Sequence, residues 1–501
     1  MISGEKLRNI KDMFDAIFRE SPKERVMVKY MEGKTVKEIT AHVLSKAIDS
    51  YSAWLTRQQL TEGHIGIIGP NCYEWLVSFS AVLRLGAVAV LMAETESPKE
   101  ILEDVAQTDI RAVLYAPSVK ARLAETGLME KIPCVPFYFQ EAEYEREGKQ
   151  KTGQKIEAGQ KVRLLIAENH RGPEDPACII FTSGTSGTKK AVVHANRALI
   201  AGQCNDIIGH PFTSQLAVLP FHHLAGFNAV FNTWCLGGTI CLAEDMRYLF
   251  AYLEAMKPDY LFAVPAIANV LVRRLKKADD YGASLGWNLR LLNCGGAKFQ
   301  PEIVETLVSH KIGIMNCYGA SEAGGIGFAW DMALDCVNTI GKPPAGLEAK
   351  IVDGELVIRS DSVMLGYYKE PEMTNEVLKD GWYYTGDLCY QDENGCIYLT
   401  GRKNNLLILS NGENVSPEEL EAKLNELELV SESMVVAEND LLAAVIVVDE
   451  LQETVQTEIR KQIDQLNRSL PNWKKLEKVY FREEAFEKNA MGKIIRIRGN
   501  V

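Results

Sequence analysis

The segment 178–196, CIIFTSGTSGTKKAVVHAN, holds the residue types and spacing that point most directly to chemistry. An apolar run leads into a loop of small and hydroxylated residues at 182–188, and Lys189 and Lys190 follow. Small residues let backbone N–H groups approach phosphate oxygens, hydroxyls add donors, and lysine neutralises charge. The loop lacks the GxxxxGK[ST] spacing of a Walker A motif. The segment therefore predicts a different kind of polyphosphate loop, placed after a buried strand.

This segment resembles the phosphate loop of the adenylate-forming enzymes, which include acyl- and aryl-CoA synthetases, amino-acid-adenylating domains and luciferases. The family loop reads [YF]TSGTTGxPKG, and this chain has Ser186 for Thr, Lys189 for Pro and Ala191 for Gly. Further resemblances follow in family order along almost the whole chain. They imply that the loop residues binding the nucleotide are Thr182, Ser183, Gly184, Thr185, Ser186, Gly187 and Lys190.

Two further segments resemble the family's adenine-binding elements. NCYGASEAGG at 316–325 resembles xYGxTE, in which the aromatic ring stacks on adenine, the hydroxyl meets phosphate and the glutamate binds magnesium. A flat ring suits a purine face, and a carboxylate suits a hard cation. CGGAKF at 294–299 resembles the Gly-Gly-Ala segment beside the adenine edge. The implied nucleotide contacts are Gly295, Gly296, Ala297, Asn316, Tyr318, Gly319 and Ser321, and the implied Mg²⁺ ligands are Glu322 and Thr182.

A third pair of motifs corresponds to the ribose site. In YYTGDL, Asp387 occupies the position of the family aspartate that accepts both ribose hydroxyls, a role that needs an ionised carboxylate. Fifteen residues later, Arg402 in GRKNN is positioned to contact ribose or phosphate. A lone Gly-Asp is usually a turn, but the two motifs at this spacing favour the functional interpretation.

The C-terminal motif FEKNAMGKIIR resembles the family's PxxxxGK[IV]xR, with Glu487 at the proline position. The resemblance makes Lys493 the catalytic lysine that steadies the α-phosphate and the reacting carboxylate. Gly412, in LSNGENVSPEE, matches the small residue that flanks the family's pantetheine tunnel, and Asn404 stands at the hinge position.

The motif LPFHHLAGF at 219–227 resembles [LF]HxxG and bears on the acid substrate. His223 takes the family's pocket position, His222 is a competing assignment, and a purely structural histidine is the alternative to both. Amino-acid-activating relatives carry an aspartate a few residues on, and 227–231 contains none, so a buried ammonium would be unsatisfied. An acyl or aryl acid is favoured. By position alone, the pocket-lining candidates are His223, Phe227, Phe231, Cys317, Gly319, Ala320 and Gly324.

The resemblance implies ATP-dependent activation of a carboxylic acid to an acyl-adenylate with release of pyrophosphate, followed by transfer to the thiol of CoA. ATP, Mg²⁺ and CoA are the implied cofactors, and Lys493, Thr182, His223 and Glu322 the implied catalytic residues. Two alternatives stay open: a ligase that loads a carrier-protein phosphopantetheine, and a catalytically silent nucleotide-binding homologue. The acid and the oligomeric state, monomer or homodimer, are also open.

The strands and helices that must position these residues are predicted to form an α/β fold. Apolar runs near 64–70, 86–92, 112–118, 216–220, 259–265, 289–297 and 313–319 alternate with helical spacing, which predicts parallel sheets flanked by helices. From about 338 to 399 the runs become short and turn-rich, which predicts an antiparallel β portion. We expect a large N-terminal domain at 1–401 and a small, mobile α+β domain at 402–501, the latter with a helix capped by Ser416.

Composition limits the function classes. A length of 501 residues exceeds one ordinary core, and 47% hydrophobic with 24% charged content indicates a globular protein. We expect no membrane span, no signal peptide and, from eleven scattered cysteines without a Cys-x-x-Cys pair, a cytoplasmic setting. A net charge of −12 argues against nucleic acid. The stretch 458–501, with eleven Lys and Arg against six Asp and Glu, is a candidate surface for the CoA 3′-phosphate or an acidic carrier protein.

Overall fold

The computed structural model describes residues 7–137, 171–183, 189–204, 212–277, 286–295, 301–325, 327–331, 339–409, 413–438, 441–488, 494 and 496. The helices are α1 (Ile10–Glu20), α2 (Ala41–Arg57), α3 (Tyr73–Leu85), α4 (Pro98–Gln107), α5 (Lys120–Glu125), α6 (Asn196–Gln203), α7 (Leu224–Leu236), α8 (Leu249–Met256), α9 (Pro265–Leu275), α10 (Pro301–Ser309), α11 (Pro371–Val377), α12 (Pro417–Leu424) and α13 (Glu453–Ser469). The strands are β1 (Val26–Glu32), β2 (Thr35–Thr40), β3 (His64–Ile68), β4 (Val88–Met92), β5 (Ile110–Tyr115), β6 (Cys134–Pro136), β7 (Pro176–Ser183), β8 (Lys189–Ala195), β9 (Ser214–Ala217), β10 (Thr239–Leu242), β11 (Tyr260–Ala263), β12 (Leu291–Gly295), β13 (Gly313–Tyr318), β14 (Phe328–Asp331), β15 (Leu347–Val352), β16 (Glu355–Ser360), β17 (Gly366–Tyr367), β18 (Leu378–Lys379), β19 (Trp382–Gln391), β20 (Ile397–Arg402), β21 (Leu407–Ile408), β22 (Asn414–Val415), β23 (Glu432–Glu438), β24 (Leu441–Val447) and β25 (Leu476–Arg482).

Two large sheets confirm the α/β prediction. One has the strand order β14-β13-β12-β11-β9-β10-β1-β2 and is parallel except at its two edges, where β14 and β2 run antiparallel. The other has the order β17-β8-β7-β4-β3-β5-β6 and is parallel from β7 to β6. Each apolar run that predicted a strand contributes one to these sheets, because consecutive runs are separated by helices long enough for parallel crossovers.

The helix α3 is buried on every side. Trp75 and Phe79 are fully buried within it, and the Trp75 ring packs 5.1 Å from that of Phe221. The segment therefore has little polar character for a helix, and its C-terminus ends at Gly86, which adopts a φ of +83°. This packing joins strands of the seven-stranded sheet to α7 in one hydrophobic core.

The turn-rich portion forms a separate antiparallel sheet, as its sequence predicts. Strands β15, β16, β19 and β18 follow one another in that order, and β20 pairs with β19. The pairing of β19 with β20 sets Asp387 directly opposite Arg402. The fifteen-residue spacing of the two motifs is thus the length of a hairpin.

The last hundred residues build a three-stranded sheet, β23-β24-β25, with α12 and α13 packed around their own core. Helix α12 begins at Pro417 with Ser416 at the N-cap, as expected. The Ser416 hydroxyl, however, makes no cap hydrogen bond; it donates instead to the carbonyl of Thr400, 2.7 Å away in β20.

Within the described part of the chain, no helix is both long and apolar enough to cross a bilayer. The stretch 141–161, expected to be a solvated surface excursion, lies outside the described residues.

Candidate functional site

The hairpin of β7 and β8 carries the candidate phosphate loop. Its two strands pair antiparallel, with Thr182 opposite Lys190 and Ser183 opposite Lys189. Directly opposed residues share one face of a sheet, and successive residues alternate between faces. Thr182 and Lys190 therefore lie on the same face. Gly184, Thr185, Ser186, Gly187 and the side chain of Ser183 lie outside the described residues.

Lys190 and Glu322 meet through a third residue, Tyr367. The ammonium of Lys190 lies 4.9 Å from the centre of the Tyr367 ring. The Tyr367 hydroxyl donates to Oε1 of Glu322 at 2.9 Å. Burial, followed by the negative charge of Glu322, raises the pKa of Tyr367 well above its ordinary value, so the phenol keeps the proton that it donates. The three groups place a cation and a carboxylate around one aromatic ring.

Lys189, which the resemblance places at the family's proline position, does not join this face. Its Nζ lies 2.8 Å from Oε1 of Glu96 and 3.1 Å from Oδ2 of Asp104. Because neighbouring strand residues point to opposite faces, only one of two consecutive lysines can reach the Tyr367 side.

Asp387 links two other predicted ligand residues. Its Oδ2 accepts a 2.5 Å hydrogen bond from the Tyr318 hydroxyl, and its Oδ1 is 2.8 Å from Nε of Arg402. Burial raises the pKa of Tyr318 well above its usual range, and the Asp387 charge adds to the shift. The carboxylate is held in one orientation from both sides. Each oxygen has a second lone pair, which remains for a further donor such as a ribose hydroxyl.

Ser321 and Glu322 lie on a short turn that is fixed by its glycine. Gly324, which follows the turn, has a φ of +75°, and a Cβ there would overlap the Ser362 carbonyl oxygen. The backbone of Glu322 also accepts from the Met364 amide at 2.9 Å. Only glycine permits this close approach, and the approach holds the Glu322 carboxylate at the carboxyl end of β13.

The remaining residues that the resemblance assigns to the adenine site differ in their environments. Gly319 faces open space, since a Cβ there would contact nothing within 4 Å. Gly295 has no such space: a Cβ would lie 2.5 Å from the Cys317 sulfur, so this glycine allows the close approach of the neighbouring strand. The Asn316 amide donates to the Thr339 carbonyl at 2.7 Å. Gly296 and Ala297 lie outside the described residues.

His222 and His223 lie together at the start of α7, with ring centres 4.2 Å apart, ring planes tilted by 46° and His223 at the N-cap. Burial lowers the pKa of His222 to about 3 and lowers that of His223, so both rings are neutral at pH 7. Within the described chain, Nε2 of His223 is buried and makes no hydrogen bond. Gly226 permits the tight turn, because a Cβ there would overlap the Pro220 carbonyl oxygen.

Phe227 and Phe231, which position alone made candidates for the acid pocket, are core residues. Their rings pack 5.3 Å and 5.6 Å from Phe79 of α3. Phe231 also meets Trp234 at 5.2 Å. The expectation was wrong because the aromatic side chains of α7 fall on the face toward α3, and spacing from the histidine motif does not reveal that face.

In the C-terminal part, Lys493 and Gly412 lie outside the described residues. Arg496, three residues after the lysine, forms an ion pair with Glu421 of α12. Arg496 and three lysines of the basic stretch 458–501 pair with acids of the stretch 402–453. The lysine pairs are Lys474–Glu419 at 2.6 Å, Lys478–Glu438 at 2.9 Å and Lys488–Glu432. The expected positive surface is therefore partly neutralised within its own domain.

The sequence motifs did not predict three residues of this region: Tyr367, Asp104 and Glu96. Tyr367 follows a glycine in a short turn-rich segment, and nothing in its spacing marks it. Asp104 left a clearer signal, because it stands three residues after the buried Ile101 on the inward face of α4. A carboxylate on the apolar face of a helix requires a partner. Glu96 precedes the same helix and gives no separate signal.

Comparisons with known proteins identify the family and the fold. A family model described as AMP-binding enzyme matches residues 14–368, and one described as AMP-binding enzyme C-terminal domain matches 404–499. The chain is 27% identical to a probable CoA ligase, CCL5, of Humulus lupulus over 94% of this chain and 89% of that protein. It is 29% identical to the medium/long-chain-fatty-acid–[acyl-carrier-protein] ligase FadD10 of Mycobacterium tuberculosis, over 82% and 79%. The Bacillus subtilis O-succinylbenzoate coenzyme A synthetase, solved with ATP and magnesium ion, has the same fold, with a TM-score of 0.76 at 20% identity over 97% and 98%.

Proposed function

The chain belongs to the AMP-binding enzyme family, and on that premise we propose that it is an acid–thiol ligase that forms acyl-CoA through an acyl-adenylate. The observation that carries the proposal is that Lys190 and Thr182 share one sheet face, where Tyr367 contacts both Lys190 and Glu322. This arrangement combines phosphate-neutralising and cation-binding groups at the ends of strands, where α/β folds bind ligands. The ordered carboxylate of Asp387 supplies a ribose acceptor.

The residues fit a magnesium nucleotide. Glu322 offers carboxylate oxygen beyond the one that Tyr367 engages, and oxygen is the donor that Mg²⁺ prefers. We assign Glu322 and Thr182 to the metal, which would neutralise charge on the departing pyrophosphate. Lys190 and the loop before it would bind the β- and γ-phosphates, Tyr318 the adenine, and Asp387 with Arg402 the ribose.

In the first half-reaction a carboxylate oxygen attacks the α-phosphorus, and the bond to the β-phosphate oxygen breaks. The protein's part is positioning and charge neutralisation, because the attacking carboxylate, the α-phosphate and the departing pyrophosphate are all anionic. Lys493 would hold the carboxylate against the α-phosphate. In the second half-reaction a thiolate attacks the acyl carbon, a C–S bond forms and AMP leaves. We propose that the boundary between the domains that serve the two half-reactions lies at 401/402. Gly412 would lie beside the path by which the thiol reaches the acyl carbon.

The neutral, buried histidine pair supports a carboxylate whose acyl or aryl part is uncharged over an amino acid. Burial lowers the pKa of both His222 and His223, which leaves neither ring charged at pH 7. The stretch 227–231 supplies no carboxylate to an ammonium. His223 would therefore line the acid pocket as a neutral ring.

The direct test is ATP–pyrophosphate exchange across short, medium and long acyl acids and aryl acids, with a reaction lacking acid as the control. We expect exchange with at least one class of acid, and its absence throughout the panel refutes the proposal in favour of a silent homologue. Lys493→Ala should abolish exchange yet still form thioester from supplied acyl-adenylate. Lys488→Ala, a matched change in the same stretch at a lysine paired with Glu432, should leave both reactions intact.

The acceptor is the second question, since relatives include both a CoA ligase and an acyl-carrier-protein ligase. We propose CoA as the acceptor and keep phosphopantetheinyl carrier protein as the alternative. Many lysines of the 458–501 stretch are ion-paired within the domain, which weakens the case for a broad basic docking face. AMP release with CoA, compared with release on a phosphopantetheinylated carrier, separates the two.

A further inference from the structure

Beside the proposed nucleotide site lies a cluster that the reaction does not use: Glu96, Asp104 and Lys189. The side chain of Glu96 is 4% exposed and that of Asp104 is 1% exposed. Lys189 donates to both carboxyl groups and also lies 5.5 Å from the Phe181 ring centre. Two buried acids thus share one ammonium.

The cluster ties the hairpin of β7 and β8 to helix α4 at more than one point. Asp104 belongs to α4, and Gln107 at the end of α4 donates through its side-chain amide to the Lys189 backbone carbonyl at 3.2 Å. Glu96 is itself held, because its Oε1 accepts from the Ala93 amide at 3.0 Å. Both the side chain and the backbone of Lys189 are therefore anchored to the segment 96–107.

The charge balance makes the anchor strong. Burial, and then the neighbouring charge of Glu96, raises the pKa of Asp104 to about 8. Asp104 therefore holds its proton more readily than an exposed aspartate does, which leaves less negative charge for the single ammonium to balance. Removing one partner of such a buried group leaves an uncompensated charge, whereas removing all of the charges together does not.

We propose that Glu96, Asp104 and Lys189 form a buried clamp that fixes the register of the β7–β8 hairpin and thereby positions Thr182 and Lys190 for the phosphates of ATP. This inference rests on the proposed function. Lys189 is a positioning residue, because it points away from the face of Lys190. In the family pattern a proline stands at this position, and its ring restricts the backbone directly. Here side-chain contacts with α4 supply the restriction.

The test measures ATP affinity by calorimetry with Mg²⁺ present, which needs no turnover, and then the KM for ATP and kcat in pyrophosphate exchange. Lys189→Met should weaken ATP binding and raise the KM for ATP by roughly tenfold, since a charge-assisted anchor is lost, while the KM for the acid changes little. Lys189→Arg should restore ATP affinity to within about threefold of the wild type. The matched control is Lys29→Met, at a lysine of the same exposure (27% against 28%) that pairs with Glu38 at 2.9 Å in the other large sheet.

A second variant separates positioning from stability. Glu96→Gln, Asp104→Asn and Lys189→Met together remove every charge of the cluster, so the fold should survive even if Lys189→Met alone unfolds. The clamp predicts that ATP affinity stays roughly tenfold weaker in this folded triple variant. Wild-type ATP affinity in the triple variant or in Lys189→Met overturns the clamp. If the wild type binds ATP but catalyses no ATP–pyrophosphate exchange, only the proposed function is overturned. The ATP affinities of the variants then still decide whether the clamp exists.

Discussion

Replacing Asp104 by asparagine is expected to change how stability depends on pH. In the folded protein, burial and the Glu96 charge raise the pKa of Asp104 to about 8, against about 3.9 for an unfolded aspartate. Between these values the folded state holds a proton that the unfolded state has released. The free energy of unfolding therefore falls as pH rises. The stabilisation that proton binding at Asp104 gives to the folded state is fully present below about pH 4 and is lost above about pH 8.

The magnitude follows from one proton. The slope is at most about 1.4 kcal/mol per pH unit, which amounts to roughly 2–3 kcal/mol between pH 5.5 and 7.5. The asparagine side chain of the Asp104→Asn variant cannot titrate, so the variant lacks this loss. The difference between the two proteins isolates Asp104, because buried His222, whose pKa is lowered to about 3, contributes a slope of the opposite sign to both.

Urea unfolding at constant ionic strength, followed by intrinsic fluorescence at pH 5.5, 6.5 and 7.5, measures this difference. Asp109→Asn is the control: Asp109 lies close by in sequence but pairs with Lys369 and Tyr368, which lower its pKa, so it is already ionised throughout the range. Equal pH slopes in wild type and Asp104→Asn would refute a raised pKa of Asp104 in the folded protein. A change of slope in the Asp109 variant would show that the effect is not specific to the buried cluster.

Three further perturbations test the site itself. Tyr367→Phe removes the hydrogen bond to Glu322 and should raise the KM for MgATP by up to about tenfold in pyrophosphate exchange. The KM for the acid is the internal control, and an unchanged KM for MgATP would show that Tyr367 does not support the metal site. Asp387→Asn should weaken AMP binding, measured by calorimetry, by about tenfold or more, and full affinity would disprove its ribose role. Gly226→Ala places a methyl group against the Pro220 carbonyl and should lower the free energy of unfolding by about 1–3 kcal/mol, whereas undiminished stability would show that the turn can open.

Much of the fold could be predicted because strands and helices leave periodic patterns. The run at 64–70 became β3, and the switch to short turn-rich runs marked the antiparallel sheet that pairs Asp387 with Arg402. What the patterns do not encode is which face a residue occupies after long-range packing. Phe227 and Phe231 carried the right spacing for a pocket and packed against Phe79 instead.

The site was predictable only where a motif names the residue. Tyr318, Glu322 and Asp387 belong to recognisable motifs, and the structure brings Tyr318 to Asp387. Tyr367 and Glu96 depend on contacts between segments more than forty residues apart in sequence, and single-residue spacing carries no information about such pairs. Lys189 and Lys190 illustrate the same limit, because their adjacency in sequence does not show that the strand sends them to opposite faces.

The ion pairs between the acidic stretch 402–453 and the basic stretch 458–501 have a consequence for recombination. Glu419 with Lys474 and Glu438 with Lys478 join one stretch to the other, so each stretch carries the charges that its counterpart needs. A chimera that takes only residues 458–501 from a relative would lose the matching charges of these ion pairs within one small domain. Exchange near residue 402 keeps the two stretches together, and we expect the functional hybrids with relatives to be those cut there.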